Sequence, residues 1–414
     1  MKIFNKILNA SLLAVTTCLF FTACNKTPLP PVPIAQPMQG TTPTLATLLD
    51  DPNFSILKEA VKKGGLLTTL SVPTLRFTVF APDNAAFTAS TAPFPPLAFL
   101  ASLDTPTVRS IVSYHVVPQV IGSGSIPATF PNFQYPSILN PAPQLSALLR
   151  LTLFPSKRSN GAWVNNIPIT ATDMLAVNGV LHKVAAVILP PSRYLWDVNP
   201  STPTSLNNSI FAAPDLTYLK AAISRADSGV APGSKLVDAL TNIGANLTIF
   251  APTDLAFQQA LTGAIAQGLI AQGVPLATAL AQATFLASTP GVFTNPALWN
   301  VITPTFAKGI VAYHIFSAQT SPFTPPGIRV FSVNIPTTAT TVKTLLNSAS
   351  VAALHPGLII RATFTGPFVT SATVKGLANA TASNVVINPL NPIATDQHFL
   401  NGVILRIDQV LLPQ

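Results

Sequence analysis

The chain contains one phrase twice, and that repetition constrains its fold more than any other feature. Residues 77–87 read FTVFAPDNAAF and residues 247–257 read LTIFAPTDLAF. Thr78, Phe80, Ala81, Pro82, Ala86 and Phe87 return as Thr248, Phe250, Ala251, Pro252, Ala256 and Phe257. Two further echoes follow in the same order. Tyr114-His115-Val116 returns as Tyr313-His314-Ile315, and Asn178-Gly179-Val180-Leu181 returns as Asn401-Gly402-Val403-Ile404. Each Asn-Gly echo precedes an apolar run ending in Leu-Pro. Three ordered matches mean two copies of one domain, and any function has to make sense of a tandem.

The phrase has a physical reading. Thr78-Val79-Phe80 is β-branched and aromatic and suits a buried strand. Pro82 ends the strand, because it has no N–H for the ladder. Asp83, with Thr253 in its place in the second copy, is a good N-cap whose oxygen can accept from the first-turn amides. Ala86 and Phe87 then open an apolar helical face. Upstream, Phe54, Leu57 and Val61 share one face of an amphipathic helix. Its counterpart begins at Leu216. Downstream, an apolar run over Val108 to Val117 leads to the Tyr-His pair. Val177 to Leu189 reads as strand, Asn-Gly turn and strand, since both turn residues tolerate positive φ. From these signals alone the chain is a mixed α and β protein with two repeats.

The three motifs in this order resemble the fasciclin-like domain family, across both halves of the mature chain. The resemblance implies an α+β fold of two tandem fasciclin-like domains. Each would be a wedge of two small β-sheets with helices packed across it. Domain 1 is expected over residues 44–191, a linker over 192–205 and domain 2 over 206–414. In animal members the region around the Tyr-His motif is linked to adhesion to cell-surface receptors. Carried over, that makes Tyr114, His115, Tyr313 and His314 the candidate partner-binding residues. The competing reading is a buried hydrogen-bonding residue that fixes the fold, which predicts the repetition equally well.

The copies differ in length. Phe80 and His115 lie 35 residues apart, but Phe250 and His314 lie 64 apart. His115 and Asn178 are separated by 63 residues, His314 and Asn401 by 87. The second copy thus carries two insertions, and long insertions usually lie on the surface.

The N-terminus reads as a targeting segment. Lys2 and Lys6 form a positive end, Ile7 to Phe21 an apolar stretch, and Phe21-Thr22-Ala23-Cys24 closes it. This resembles a bacterial lipoprotein signal over residues 1–23, with lipidation expected at Cys24. An ordinary secretory signal with an incidental cysteine is the alternative. Cys18 would leave with the signal, so no disulfide is expected. Residues 24–43, rich in proline, read as a semi-rigid tether. Together these place the protein at the bacterial cell envelope, with the outer membrane favoured. The sequence Asn25-Lys26-Thr27 leaves the surface and the periplasmic face both open.

Charge is sparse, at 8% Asp, Glu, Lys and Arg. Surfaces must therefore be built from Thr, Ser, Asn, Gln and Pro, which suits hydrogen bonding to neutral polymers or tolerance of salt and acid. Loss of Lys2 and Lys6 takes the net charge from +9 to +7, a mild basic balance. Without a Lys/Arg cluster, nucleic acid is not an expected partner. Leu261 to Ser288 carries no charge, but it is alanine-rich and interrupted by Gln267, Gln272, Pro275 and Gln282. We read it as two short helices hinged near Pro275 rather than a membrane span. They either cover the core of the second copy or form an apolar docking surface.

Nothing in the spacing points to catalysis. The histidines are His115, His182, His314, His355 and His398, with no HxH, HExxH or CxxC spacing and no GxSxG. No enzyme activity, cofactor or metal is expected. The leading expectation is a lipid-anchored interaction protein that contacts the membrane through its lipid and binds a protein or polysaccharide partner. The alternative is a carrier of a small apolar ligand, with the insertions of domain 2 as a lid.

Overall fold

A computed structural model describes residues 43–130, 133–197, 210, 213–299, 301–316, 329–346, 357–387 and 395–413. The leader, Cys24, most of the tether, His355 and much of the second insertion of copy two lie outside the described residues.

Copy one begins with helices α1 (Leu45–Leu48), α2 (Ser55–Lys63) and α3 (Leu67–Ser71). Strand β1 (Phe77–Pro82) follows, then helices α4 (Asn84–Thr91), α5 (Pro96–Ser102) and α6 (Thr105–Tyr114). The remaining strands are β2 (Val116–Val117), β3 (Tyr135–Pro136), β4 (Thr152–Leu153), β5 (Pro155–Arg158), β6 (Gly161–Val164), β7 (Ile167–Ala176) and β8 (Gly179–Val184). Copy two repeats the plan. It has α7 (Thr217–Ala226), α8 (Leu236–Thr241), β9 (Leu247–Pro252), α9 (Asp254–Ala271), α10 (Leu276–Leu286) and α11 (Pro304–Tyr313). Strands β10 (Ile315–Phe316), β11 (Thr340–Val342), β12 (Leu358–Thr365), β13 (Phe368–Lys375), β14 (Ser383–Asn384), β15 (Asp396–Phe399) and β16 (Gly402–Ile407) complete it.

The repeated phrase is a strand, turn and helix in both copies. β1 and β9 are buried along their whole length and end at the expected prolines. Asp83 accepts from the Ala86 amide, and Thr253 accepts from the Ala256 amide, so both N-caps form. The next residue caps a second helix. Asn84 Oδ1 accepts from Ile56 N in α2, and Asp254 Oδ1 accepts from Tyr218 N in α7.

Each phrase strand is paired in parallel with the strand that follows Asn-Gly. Phe77 faces Gly179 across β1 and β8, and Leu247 faces Gly402 across β9 and β16. The register is the same in both copies. A Cβ on Gly179 would stand 1.9 Å from the Phe77 carbonyl oxygen, and one on Gly402 would stand 2.5 Å from that of Leu247. Glycine is required there by the close approach of the neighbouring strand.

Copy two has the expected two small sheets, ordered β10-β9-β16-β15 and β11-β12-β13-β14. In copy one the corresponding strands run together as β2-β1-β8-β7-β6-β5, beside a small β3-β4 pair. The physical reason is β7. It shifts register twice against β8, at Ile169/Ala171 and Ala171/Met174, and Asp173 sits at φ 61°. Such bulges bend a strand, so that one end of β7 pairs with β8 and the other with β6.

Leu195 and Trp196, within the stretch expected to link the copies, are buried in the core of copy two with Tyr218, Leu240 and Phe257. Leu195 N donates to Asn401 Oδ1 at 2.9 Å, as Leu45 N donates to Asn178 Oδ1 at 2.8 Å in copy one. Each Asn also donates from Nδ2, Asn178 to the Leu70 carbonyl and Asn401 to the Leu240 carbonyl. The repeated asparagine thus clamps the start of its copy to its last hairpin.

The copies share a core. Phe154 and Trp163 of copy one belong to one apolar cluster with Phe250, Phe331, Leu358, Val374 and Leu405 of copy two. Trp163 Nε1 donates to the Pro367 carbonyl at 3.0 Å, and Asn334 Nδ2 donates to Ser156 Oγ at 2.9 Å.

The first insertion of copy two is the lengthened α9 and the added α10, joined through Gln272 to Pro275. The break falls where the sequence placed it. Leu261, Ile265, Ala266 and Ala283 sit in the core of copy two. No helix among the described residues is long and apolar enough to cross a membrane.

Candidate functional site

The two Tyr-His pairs close helices α6 and α11, and all four side chains are buried. The amide of Ile188 donates to His115 Nε2 at 3.0 Å, so that nitrogen carries no proton. Nδ1 therefore holds the proton and donates it to the Ile111 carbonyl at 2.8 Å. His314 repeats this arrangement. Leu411 N donates to its Nε2 at 2.8 Å, and its Nδ1 donates to the Ile310 carbonyl at 2.8 Å. Burial holds both imidazoles down at about 4, because the interior disfavours the charged ring.

The histidine backbone joins the same construction. The His115 carbonyl accepts from Phe80 N, and the His314 carbonyl accepts from Phe250 N, both at 2.9 Å. Each histidine thus ties the phrase strand, the preceding helix and the closing apolar run together. The tyrosines work beside them. Tyr114 Oη donates to the Thr152 carbonyl at 3.0 Å, and Tyr313 Oη donates to the Gly357 carbonyl at 2.7 Å. Burial pushes the Tyr114 hydroxyl up to about 12.

This geometry corrects one expectation. Tyr114, His115, Tyr313 and His314 offer no surface for a partner, because each polar atom is spent inside its own copy. The joint these residues make in each copy accounts for their repetition. His182 is also internal, and Asp173 N donates to its Nδ1 at the bulge of β7. Cys24 lies outside the described residues.

The structure brings together a second polar group that the spacing did not reveal. Arg329 is buried and donates to Asn246 Oδ1, to His398 Nε2, and to the carbonyls of Phe399 and Leu400. Burial lowers the guanidinium to about 10, which leaves it charged at neutral pH. Nearby, Asp396 accepts from the amide and hydroxyl of Ser332, and burial pushes its carboxyl up to about 6. Phe154 of copy one closes this group, tilted against Phe331 at 5.8 Å between ring centroids. The one sequence sign was an arginine within the apolar run Gly327 to Val333. Its partners Asn246 and His398 are too distant along the chain for any motif to join them.

Among the described residues no group of three or more His, Cys, Asp or Glu could hold a metal ion. The polar groups above are paired with each other and with backbone. Their chemistry is that of a joint within and between the two copies.

The fasciclin domain model matches residues 52–190. Transforming growth factor-beta-induced protein ig-h3 of Sus scrofa is 31% identical over 158 residues, which is 37% of this chain and 20% of that protein. Protein sll1483 of Synechocystis sp. is 30% identical over 161 residues, 37% of this chain and 78% of that protein. A solved FAS1 domain pair from the insect cell adhesion molecule fasciclin I shares 14% identity, with a TM-score of 0.32 over 88% of this chain and 98% of that one. The chain belongs to the fasciclin domain family. It spans about a fifth of the length of the mammalian relative. Fasciclin domains are associated with cell adhesion and extracellular protein interaction, and the proteins that carry them are typically non-enzymatic.

Proposed function

We propose that this chain is a lipid-anchored interaction protein of the bacterial cell envelope. Cys24 carries the lipid at the outer membrane, residues 24–43 act as a tether, and the tandem fasciclin body binds a protein or polysaccharide partner. The observation that carries the reading is what the repeat leaves over. Its recurrent polar side chains, the Tyr-His pairs and the Asn-Gly asparagines, are consumed in holding each copy together. Binding then falls to the exterior, which is poor in charge and rich in hydroxyl and amide groups. Such a surface matches a neutral or weakly charged polymer or protein, with little long-range steering.

The test has two parts. Intact cells are treated with protease and blotted for the chain. Digestion would support surface display, whereas protection until the outer membrane is opened would support the periplasmic face. Mature chain is then incubated with isolated envelope polymers and with intact cells. Retention by neither would refute the interaction reading.

A further inference from the structure

The tip of the α9–α10 hairpin is a second candidate contact surface, and its chemistry is unusual for a protein exterior. From Leu255 to Ala307 the chain has no charged side chain. Along the tip, Leu269-Ile270-Ala271 ends α9, Gln272 to Pro275 make the turn, and Leu276-Ala277 opens α10. Ile270 is 42% exposed, Leu276 62% and Leu280 45%. Only small residues of α10, Ala279 and Ala283, are buried. The hairpin is therefore fixed at its base by the core and by an alanine ridge, while large aliphatic side chains face water at its end. Water gives such groups nothing, and withdrawing them from it is favourable.

We propose that this tip inserts into the interfacial zone of a lipid bilayer. The proposal rests on the anchored reading of Cys24. Pro43 lies nineteen positions after Cys24. At about 3.1 Å per residue for a proline-rich tether, that is a reach of roughly 60 Å, enough to let any face of the body meet the membrane. The composition favours lipid over protein. Protein interfaces concentrate binding in Trp, Tyr and Arg with a polar rim, and the tip, Leu269 to Ala277, has Ile, Leu, Val and Ala with one glutamine, one glycine and one proline. Absence of charge is what insertion demands, since an unpaired charge is expelled from the acyl region. A second apolar contact beside the anchor would fix which side of the body faces outward.

The test uses the full chain with one reporter thiol. Leu276→Cys carries an environment-sensitive fluorophore, and Ser371→Cys on β13 serves as the exposed control. Vesicles of phosphatidylethanolamine and phosphatidylglycerol, with and without brominated acyl chains, are added to the purified protein. We expect a blue shift at 276 and severalfold stronger quenching by brominated lipid at 276 than at 371. Adding Ile270→Glu should abolish the shift without changing the circular dichroism spectrum. A 276 label that emits as in water with vesicles present overturns the proposal, whatever the state of Cys24. A blue shift without vesicles that grows with protein concentration assigns the tip to a second copy of the chain, and also overturns it. The anchor fails separately, by a Cys24 thiol that itself takes up the label.

Discussion

The guanidinium of Arg329 lies 5.1 Å from the ring centroid of Phe154, so a buried cation of one copy rests on an aromatic ring of the other. Such a contact contributes about 2 kcal/mol or more when water is excluded. It also means that the tandem is joined by a desolvated surface rather than by a flexible tie.

Removing that surface should therefore weaken both halves together. Phe154→Ala and Trp163→Ala are each expected to cost about 3–5 kcal/mol, through lost burial and the cavity left behind. Urea unfolding of the full chain, followed by tryptophan fluorescence and by far-UV circular dichroism, checks this. The two probes should move to lower urea in step. Separate transitions for the two halves would show that the shared cluster does not couple them.

The buried histidines predict an acid limit to stability. His115 and His314 titrate at about 4 in the folded chain. Their unfolded value is about 6.5. Folding with neutral imidazoles is fully favoured above pH 6.5 and loses about 1.4 kcal/mol per pH unit per histidine as pH falls toward 4. Asp396 opposes one such increment, because its raised folded value makes acid favour the folded form between about pH 6 and 4. His314→Gln should flatten the slope of unfolding free energy against pH by about 1.4 kcal/mol per unit in this window. An unchanged slope would mean that His314 is already charged in the folded chain.

Two glycines should respond in opposite directions to the same methyl group. Gly179→Ala puts a Cβ into the backbone of β1 and is expected to cost about 2–5 kcal/mol, through overpacking and strain. Gly263→Ala, inside α9 with nothing within 4 Å of the new Cβ, should stabilise by about 0.5–1 kcal/mol. Thermal melts of the two variants beside the parent chain settle both.

The asparagine clamp makes a sharper chemical prediction. Asn178 donates to the Leu70 and Val72 carbonyls while accepting from Leu45 N. Asn178→Asp keeps the acceptor but turns the donor into a second oxygen facing two carbonyls. It should cost more than Asn178→Ala, against the usual order for a conservative change, because a buried charge is left unpaired. Chemical denaturation of the two variants gives the ranking.

The repeated unit was legible because its signals are local. A strand stopped by Pro82 and a cap at Asp83 or Thr253 each act within a few residues, and both formed. The closing hairpin formed as well, but its turn falls one residue earlier than expected, on Val177-Asn178 and Leu400-Asn401, with the glycine already in the strand. The break at Gln272 to Pro275 was legible for the same reason. The continuity of β7 was not, since it depends on a bulge at Asp173 held by His182 and Ser123 from elsewhere in the chain. The role of the Tyr-His pairs was half legible. Repetition marked them, but repetition cannot separate a binding residue from a joint, and the deciding partners, Ile188 and Leu411, stand 73 and 97 residues away. The Arg329 group left almost no trace, because long-range polar networks have no period.

Asn178 and Asn401 hold the entrance of each copy against its closing hairpin. A fold whose chain comes in and goes out at one point can be copied in line without rethreading what surrounds it. Whole copies can then be gained or lost while each keeps its own topology. Only the faces that touch, here the Phe154 and Trp163 side of the first copy, must change for neighbours to fuse, and each remaining exterior is left to diverge on its own.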